Sequence, residues 1–246
     1  AEVLFGDDGR TIVGVRTDDK GLDHDGNPKN TFEPGIDLLA KVTVFGEGAR
    51  GSLMRQIEAS LPISDGRQPQ VYETGVKEVI QLPAENFFTD NEANDIHTLG
   101  YPLGLKVPGG GFIYQMADNK ITIGYLVALC YDDPQLHPYD AFIQFKRHPA
   151  IAGIISGGKV IEQGARTVST GGYYSMPQLA VDGAVFTGGA AGFQNTPALK
   201  GIHLGMKSGM LAAEAIVDAV AAGKTDAATL GVYDTLFETS WAKAEM

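Results

Sequence analysis

The pattern of apolar and polar positions begins with short strand-like segments. AEVLF and TIVGVRT, residues 1–5 and 11–17, flank the turn GDDG, which predicts a β-hairpin. IDLLAKVTVF, residues 36–45, predicts a third, strongly apolar strand. Between them, DDKGLDHDGNPKNTFEPG is rich in Asp, Gly, Asn and Pro, which predicts an exposed excursion with little regular structure. The first 60 residues therefore indicate a small β unit followed by the helical segment SLMRQIEASL.

The middle of the chain alternates in strand fashion. QVYETGVKEVIQLP, IHTLGYPLG, GGGFIYQMA and KITIGYLVALCY are separated by turn residues and predict an antiparallel sheet of about four strands. PYDAFIQFKRHPAI then predicts a helix over 138–148, since Ala141, Phe142 and Phe145 fall at helical spacing. KVIEQGAR returns to strand. We expect this sheet and helix to occupy residues 61–183.

The last third predicts a strand, VDGAVFTGG, that leads into the glycine turn VFTGGAAGF. A long helix of small residues follows from about Thr196 to Ala222 and ends at Gly223, and TLGVYDTLFETSWAKAEM predicts a final helix. The expected fold class is mixed α/β (α+β), in which segments 1–60 and 184–246 come together as one unit that is interrupted by the sheet.

Composition restricts the function. A formal net charge of -11 argues against a nucleic-acid partner, whose phosphates require clustered Lys and Arg. The single Cys130 excludes an internal disulfide and a cluster held by four cysteines. No apolar run is long enough for a membrane span, so any membrane association should be peripheral.

Glycine-rich motifs need structural context. GEGARG, residues 46–51, matches GxGxxG after a strand and before a helix, yet the expected second strand ending in an acidic residue is replaced by LPISDGRQPQ. This favours a tight strand-to-helix turn near a cofactor bound elsewhere over an independent NAD site. GIISGGKV has Val160 where a phosphate-binding loop needs a hydroxyl residue. The histidines lack metal-ligand spacing and no GxSxG is present, so we assign neither a metal site nor a catalytic residue.

The late glycine turn has two interpretations. Gly188, Gly189 and Gly192 allow a ligand to approach the backbone, and a helix that starts near Pro197 would direct its amides toward that ligand. The same glycines and the small residues after them also suit tight packing of a helix on a sheet. The residues alone leave both interpretations open.

Several longer segments of the sequence resemble a known protein family. KVTVFGEGARGSL, HPYDAFIQFKRHPAIAGIISGGKVIEQGAR and GFQNTPALKGIHLGMKSGMLAAEAI resemble the electron-transfer flavoprotein:ubiquinone oxidoreductases, in a wider group with geranylgeranyl-reductase-like flavoproteins. The resemblance extends over the whole chain, and it implies that 1–60 and 184–246 are parts of an FAD-binding domain and that 61–183 is a quinone-binding antiparallel sheet. It implies an FAD enzyme that accepts electrons from electron-transfer flavoprotein and passes them to ubiquinone at a membrane surface.

The resemblance also implies site residues. Gly109, Gly110 and Phe112 correspond to the quinone headgroup site, although an ordinary hairpin turn is the alternative from the residues alone. The expected FAD contacts are Gly46, Glu47, Gly48, Gly188, Gly189, Gly192, Phe193, Asn195, Pro197 and Gly201.

Compared with the family, the sequence starts after the N-terminal unit that holds the FAD pyrophosphate, and it stops before the cysteine-bearing iron–sulfur region. We therefore expect a fragment that binds FAD weakly or not at all, with the iron–sulfur cluster confined to full-length members. The alternatives are a geranylgeranyl-reductase-like enzyme and a non-catalytic quinone- or lipid-binding module. The expected location is the surface of an energy-transducing inner membrane, bacterial in preference to mitochondrial.

Overall fold

The chain folds as two compact units. A computed structural model describes residues 1–89 and 95–246. Unit 1 consists of Ala1–Gln70 and Ser169–Met246, and unit 2 is Val71–Val168. Both crossings between the units lie inside the predicted 61–183 segment. Residues near 61–70 stay with unit 1 because Ile63 and Gln68 exchange backbone hydrogen bonds with Gln178 and Tyr174.

The first sheet of unit 1 contains the predicted hairpin. β1 (Glu2–Phe5) and β2 (Ile12–Arg16) pair antiparallel, and β5 (Asp37–Leu39) adds to β2. The expectation of little regular structure between them was wrong. β3 (Lys20–Leu22) and β4 (Pro28–Glu33) form a second, exposed hairpin, in which Asp23 of the turn accepts hydrogen bonds from backbone N–H groups.

The second sheet of unit 1 has the order β12-β13-β6. β12 (Ala180–Val181) pairs antiparallel with β13 (Ala184–Phe186), which pairs parallel with β6 (Thr43–Phe45). The predicted continuous strand 36–45 is therefore two strands. Ala40 still donates its backbone N–H to Val13 of the first sheet, whereas Thr43 donates to Gly183 of the second, so the chain changes partner within three residues.

The helices of unit 1 pack on these sheets. They are α1 (Ser52–Ser60), α4 (Ile202–Ala221), α5 (Ala227–Leu230), α6 (Val232–Glu238) and α7 (Trp241–Ala244). The predicted final helix is thus three short helices, with breaks at Gly231 and Ser240. The core contains Ile57, Leu204 and Tyr233, which are fully buried between the helices and the strands.

The long helix begins later than predicted. Asn195 and Lys200 exchange backbone hydrogen bonds of 2.8 and 3.0 Å, and they close a turn in which Leu199 has a φ of 55°. Helical hydrogen bonding cannot continue through this turn, so α4 starts at Ile202 instead of near Thr196. Its end is as predicted within one residue, with Gly223 at a φ of 68° just beyond it.

Unit 2 is a five-stranded sheet with helices on one face. β7 (Tyr72–Gln81), β8 (Asp95–His97), β9 (Gly109–Met116), β10 (Lys120–Ala128) and β11 (Lys159–Ser169) have the order β11-β7-β10-β9-β8. The antiparallel sheet predicted from the alternation is confirmed for β7, β8, β9 and β10. β10 lies at the centre, and Ile121, Ile123 and Tyr125 on it are fully buried.

Two helices cover one face of this sheet. α2 (Pro138–Arg147) matches the predicted 138–148 helix, and α3 (Pro149–Ile154) follows after the break at Pro149. Phe142 and Phe145 of α2 are buried against β10, and Lys146 forms a 2.7 Å ion pair with the buried Glu78 of β7. In the described part of the chain, no helix has the length and apolar character of a membrane span.

Candidate functional site

Two glycine turns lie side by side at the ends of parallel strands in unit 1. β6 is followed by Gly46 and Gly48. β13 is followed by Gly188 and Gly189, which begin a short 3₁₀ turn, Gly188–Ala191. A Cβ atom on Gly189 would lie 3.4 Å from the Cα of Gly48. The carboxyl ends of two adjacent parallel strands thus present only backbone, a place where α/β folds commonly bind ligands.

The Glu47 side chain forms its hydrogen bonds within the protein, at the start of α1. Its carboxylate accepts hydrogen bonds from the backbone N–H groups of Leu53 at 3.1 Å and Met54 at 3.0 Å. These are first-turn amides of α1, which would otherwise be free to bind an anion. The GEGARG turn therefore caps its own helix with a side chain, and this argues against a phosphate site at the start of α1.

The second turn is attached to α4. Gly188 has a φ of 58°, its N–H donates to Ser208 Oγ at 2.9 Å, and that hydroxyl donates to the carbonyl of Gly205 at 2.7 Å. Ser208 is fully buried. Its hydroxyl links the strand end to the helix, which fixes the position of the glycine turn.

The predicted contacts further along are dispersed. The Phe193 side chain is 1% exposed and its ring packs edge-on against Phe237 at 5.1 Å, so only its backbone can reach a ligand. The Asn195 side chain accepts from the backbone N–H of Ala198 at 3.0 Å. Pro197 is exposed before α4, and Gly201 caps α4 and contacts Gln194. The amides at the start of α4 therefore belong to residues after Gly201, not to those near Pro197.

In unit 2 the predicted quinone residues lie within a strand. Gly109, Gly110 and Phe112 belong to β9, so the hairpin-turn alternative is wrong. Antiparallel register pairs Gly110 with Leu126 and Phe112 with Gly124, which places these two predicted residues on one face of the sheet. Gly109 pairs with Val127 and lies on the other face, which α2 and α3 cover.

Close packing explains the two glycines on the face of Gly110 and Phe112. A Cβ atom on Gly110 would come within 2.1 Å of the Thr98 carbonyl oxygen, and one on Gly124 would come within 2.3 Å of the Phe112 ring. The Phe112 ring stacks on Tyr114 with centroids 5.8 Å apart. Phe112 thus covers the buried Gly124, and the surface here consists of two parallel aromatic rings, a shape suited to a planar ligand.

A separate cleft of about 630 Å³ lies on the helix side of the same sheet. Its lining includes Thr74, Val76 and Glu78 of β7, His137 and Tyr139 at the start of α2, and Ala165 of β11. Register places Thr74, Val76 and Glu78 on the face opposite Gly110 and Phe112. The cleft is therefore distinct from the aromatic surface.

Metal-ligand candidates are few. Among residues 1–89 and 95–246, the one group of three with suitable spacing is Asp23, His24 and Asp25 in the β3–β4 turn. His24 and Asp25 are exposed, and the Asp23 carboxylate accepts hydrogen bonds from its own turn, which also lowers its pKa. The described residues offer no enclosed metal site.

Sequence reasoning missed Ser208 and the true role of Glu47. Ser208 was predicted only to lie within the long helix of small residues, because a hydroxyl that bonds a turn 20 residues earlier leaves no local pattern. A stronger signal existed for Glu47, an acidic residue just before a helix start, where carboxylates are favoured. We also missed Thr98, whose hydroxyl accepts from the Gly111 N–H at 3.0 Å.

Comparison with known proteins identifies relatives over the whole length. The family description "ETF-QO, ubiquinone-binding" matches residues 72–168. The chain is 42% identical over 248 residues to the mitochondrial electron transfer flavoprotein-ubiquinone oxidoreductase of Arabidopsis thaliana, and 38% identical over 252 residues to that of Homo sapiens. All of this chain is covered in both cases, and it spans 38% and 40% of those two proteins.

Solved structures show the same fold at low identity. A geranylgeranyl bacteriochlorophyll reductase-like protein from Thermoplasma acidophilum superposes with a TM-score of 0.70 at 15% identity, covering 96% of this chain and 52% of that one. The flavin-dependent brominase Bmp2 gives 0.64 at 16% identity, covering 99% and 54%. The expected mixed α/β flavoprotein fold is confirmed.

One expectation is overturned by the relatives. They are named as mitochondrial proteins in plants, fungi and mammals, so the preference for a bacterial inner membrane was wrong.

Proposed function

Because this chain belongs to the electron-transfer flavoprotein:ubiquinone oxidoreductase family, we propose that it supplies the ubiquinone-binding unit and part of the flavin domain of an enzyme that passes electrons from electron-transfer flavoprotein to ubiquinone. One observation carries the proposal. The ubiquinone-binding family match, residues 72–168, coincides with the compact unit 71–168. The homologous segment is thus a physical unit of this protein.

The quinone site that we propose is the flat surface around Gly110 and Phe112. The Phe112–Tyr114 pair allows a planar ring to stack closely, beside the backbone of Gly110. Gly109, on the other face, would contribute through its backbone. The chemistry needs no nucleophile, since the protein has only to position the acceptor ring.

The flavin site that we propose is the pair of glycine turns in unit 1. Two adjacent strand ends whose glycine backbone a ligand can approach, one of them held by Ser208, support this proposal. Bound FAD would supply the redox chemistry. Gly188, Gly189, Gly192, Asn195 and Gly201 would lie along the flavin, and Gly46 and Gly48 on the nucleotide side. Glu47 would act indirectly by holding α1.

The partners that we propose are electron-transfer flavoprotein, ubiquinone and a membrane surface, in the mitochondrial compartment for which the relatives are named. For these interactions the protein's own residues provide binding, orientation and shielding from water. An iron–sulfur cluster of four thiolates has no ligand set here, because the sequence has one cysteine.

Two half-reactions test this function in the flavin-loaded enzyme. We expect reduced electron-transfer flavoprotein to reduce the flavin and ubiquinone-1 to reoxidise it, both followed by stopped-flow absorbance. Phe112→Ala should slow reoxidation by about tenfold, since loss of an aromatic stack costs on the order of 1 kcal/mol, and leave flavin reduction unchanged. Phe32→Ala, an exposed aromatic of β4, is the control.

The outcome that contradicts the proposal is equal slowing of both half-reactions by Phe112→Ala, or slowing of neither.

The substitution Gly110→Val tests the quinone site less cleanly than Phe112→Ala does. A Cβ atom there would meet the Thr98 carbonyl at 2.1 Å, so the substitution would displace backbone as well as quinone.

A further inference from the structure

The outermost strand of unit 2, β11, has one long free side. It lies at the end of the strand order, so β7 is its one neighbouring strand in the part of the chain that the structure describes. It is 11 residues long, and its first eight residues are exposed. An edge of this kind presents a row of backbone N–H and C=O groups that can pair with another strand.

Hydrogen bonding of β7 shows which of its residues face β11. In an antiparallel sheet, alternate residues of a strand bond to the neighbour on one side, and the others bond to the neighbour on the other side. The Leu82 N–H donates to the Asn119 carbonyl at 2.8 Å, just beyond the register of β7 with β10. The even-numbered residues of β7 therefore bond to β10, and the odd-numbered residues face β11.

The position of β11 on β7 then identifies its free backbone groups. A Cβ atom on Gly75 would lie 3.8 Å from the Arg166 carbonyl oxygen, and the hydroxyls of Thr74 and Thr167 are 3.0 Å apart. Arg166 thus lies opposite Gly75, so the even-numbered residues of β11 face β7. The residues whose N–H and C=O groups point to the free edge include Ile161, Gln163 and Ala165.

The charges of β11 are complementary to those of a second β11. Glu162 and Arg166 lie four residues apart on one face of the strand, and both are exposed. Neither forms an ion pair with any residue of the described ranges. When two copies of β11 are paired antiparallel about a two-fold axis at Gly164, Glu162 of each copy faces Arg166 of the other. Two-fold symmetry forms this pair twice.

The backbone pattern matches the same register. With the axis at Gly164, Glu162 and Arg166 form a non-hydrogen-bonded pair, the kind in which side chains lie closest. The odd-numbered residues, whose backbone groups point to the free edge, then meet each other across the axis. These hydrogen-bonded pairs are Gln163 with Ala165 and Ile161 with Thr167.

Neighbouring registers lose this match. An axis at Glu162 or at Arg166 would place like charges directly opposite each other, which destabilises a strand pair. An axis at Gln163 or at Ala165 would place both charged residues opposite uncharged ones. The register about Gly164 is therefore favoured over these four.

We propose that the free edge of β11 is a homodimer interface, in which a second copy of this chain pairs antiparallel with it about Gly164. The sheet of unit 2 continues across both copies. The two Glu162–Arg166 pairs set the register, and Val160 and Ile161, which are 43% and 46% exposed in the single chain, become partly covered. This interface is independent of the quinone and flavin sites proposed above.

Sedimentation velocity of the 246-residue chain over a range of concentrations tests the interface. We expect wild type to dimerise. Glu162→Arg and Arg166→Glu should each weaken dimerisation by about tenfold, because each change turns two attractive pairs into repulsive ones. Glu85→Arg is the matched control, since it reverses an exposed charge outside the strand and should leave dimerisation unchanged.

Mixing the two single variants tests the register itself. In a dimer of Glu162→Arg with Arg166→Glu, opposite charges face each other again at both positions. We therefore expect the mixture to form mixed dimers about as stable as those of wild type. The double variant that carries both changes should also dimerise like wild type, and its recovery would show that the single variants did not fail by misfolding.

Amide hydrogen exchange identifies the strand. Dimerisation at high concentration should increase the protection of the Gln163 and Ala165 amides and leave that of the Glu162 and Arg166 amides, which face β7, unchanged. The inference is overturned if wild type stays monomeric at every soluble concentration, which would mean that the charges of β11 keep its edge unpaired. It is also overturned if both charge reversals dimerise like wild type, or if their mixture forms no mixed dimers.

Discussion

At the scale of single residues, Gly111 is a glycine because of one neighbouring ring. A Cβ atom there would lie 2.1 Å from the Phe145 ring, in the centre of the unit 2 core. We expect Gly111→Ala to destabilise the protein by about 1–3 kcal/mol, the usual cost of overpacking. Urea unfolding monitored by circular dichroism measures this.

The control for Gly111 lies in the same sheet. Gly164 of β11 has no heavy atom within 4 Å of its Cβ position. We expect Gly164→Ala to change stability by less than about 0.5 kcal/mol or to increase it slightly. Similar losses from the two substitutions would show that crowding by Phe145 is not the cause.

The ion pair between Glu78 and Lys146 gives a second prediction at this scale. The Glu78 side chain is 4% exposed. The Lys146 ammonium group also lies 4.9 Å from the centre of the Phe142 ring. Lys146→Met leaves a buried carboxylate without a partner, so we expect a loss of about 3–5 kcal/mol. The double variant Glu78→Leu with Lys146→Met should recover most of that loss. A double variant as unstable as the single one would contradict this account.

At the scale of elements, α1 depends on a side chain outside it. Glu47 supplies the acceptor for two first-turn amides, and Gly51 before the helix offers no side-chain cap of its own. We expect Glu47→Ala to cost about 1 kcal/mol, as for other lost caps. Glu214→Ala, an exposed carboxylate of α4, controls for the change in charge, and an equal effect from both would exclude capping.

Elements that repeat a simple pattern could be predicted from the sequence. β7 and β10 were found from their alternation, and α2 from the spacing of Ala141, Phe142 and Phe145. Residues 36–45 were predicted as one strand, because a chain that passes from one sheet to another can still have a continuous apolar sequence. The start of α4 was missed because Pro197 is typical of a first helical turn, so the helix was predicted to begin there and Gly201 to lie within it.

The same distinction applies to the candidate sites. The glycine turns can be recognised directly in the sequence, and the family resemblance identified Gly110 and Phe112 as further site residues. The partners of those residues depend on register and on contacts far apart in sequence, such as Ser208 with Gly188 and Thr98 with Gly110. A single sequence contains no local trace of such contacts.

At the scale of the whole molecule, the titrating carboxylates are unevenly distributed. Hydrogen bonds lower the pKa of Asp8, Asp23, Asp37 and Asp226, all in unit 1. For Asp8 the Thr11 hydroxyl is the main cause, and the pKa falls from 3.8 to about 2. Burial raises the pKa of Asp234 in unit 1 and of Glu73 in unit 2.

The sign of the pH dependence follows from these shifts. A depressed carboxyl pKa contributes stability above its unfolded value of 3.8 and loses it as the pH falls through the folded value, whereas a raised pKa favours the folded state on protonation. We therefore expect acidification from pH 4 toward pH 2 to reduce amide hydrogen-exchange protection in unit 1 before unit 2. Asp8→Asn should reduce the acid dependence, and Asp7→Asn should not. Earlier loss of protection in unit 2 would contradict the prediction.

The interrupted path of the chain also sets an order of events during synthesis. β6 is made before unit 2 and its parallel partner β13 after it, more than half the chain away. Unit 2 is continuous, so its contacts can form as soon as residue 168 has left the ribosome. Residues 1–70 must wait for the strand and helices that complete their core, and closing so long a loop costs entropy. The apolar residues of β6 therefore lack their partner strand throughout that interval, and this is the period in which a nascent chain of this design most needs a chaperone.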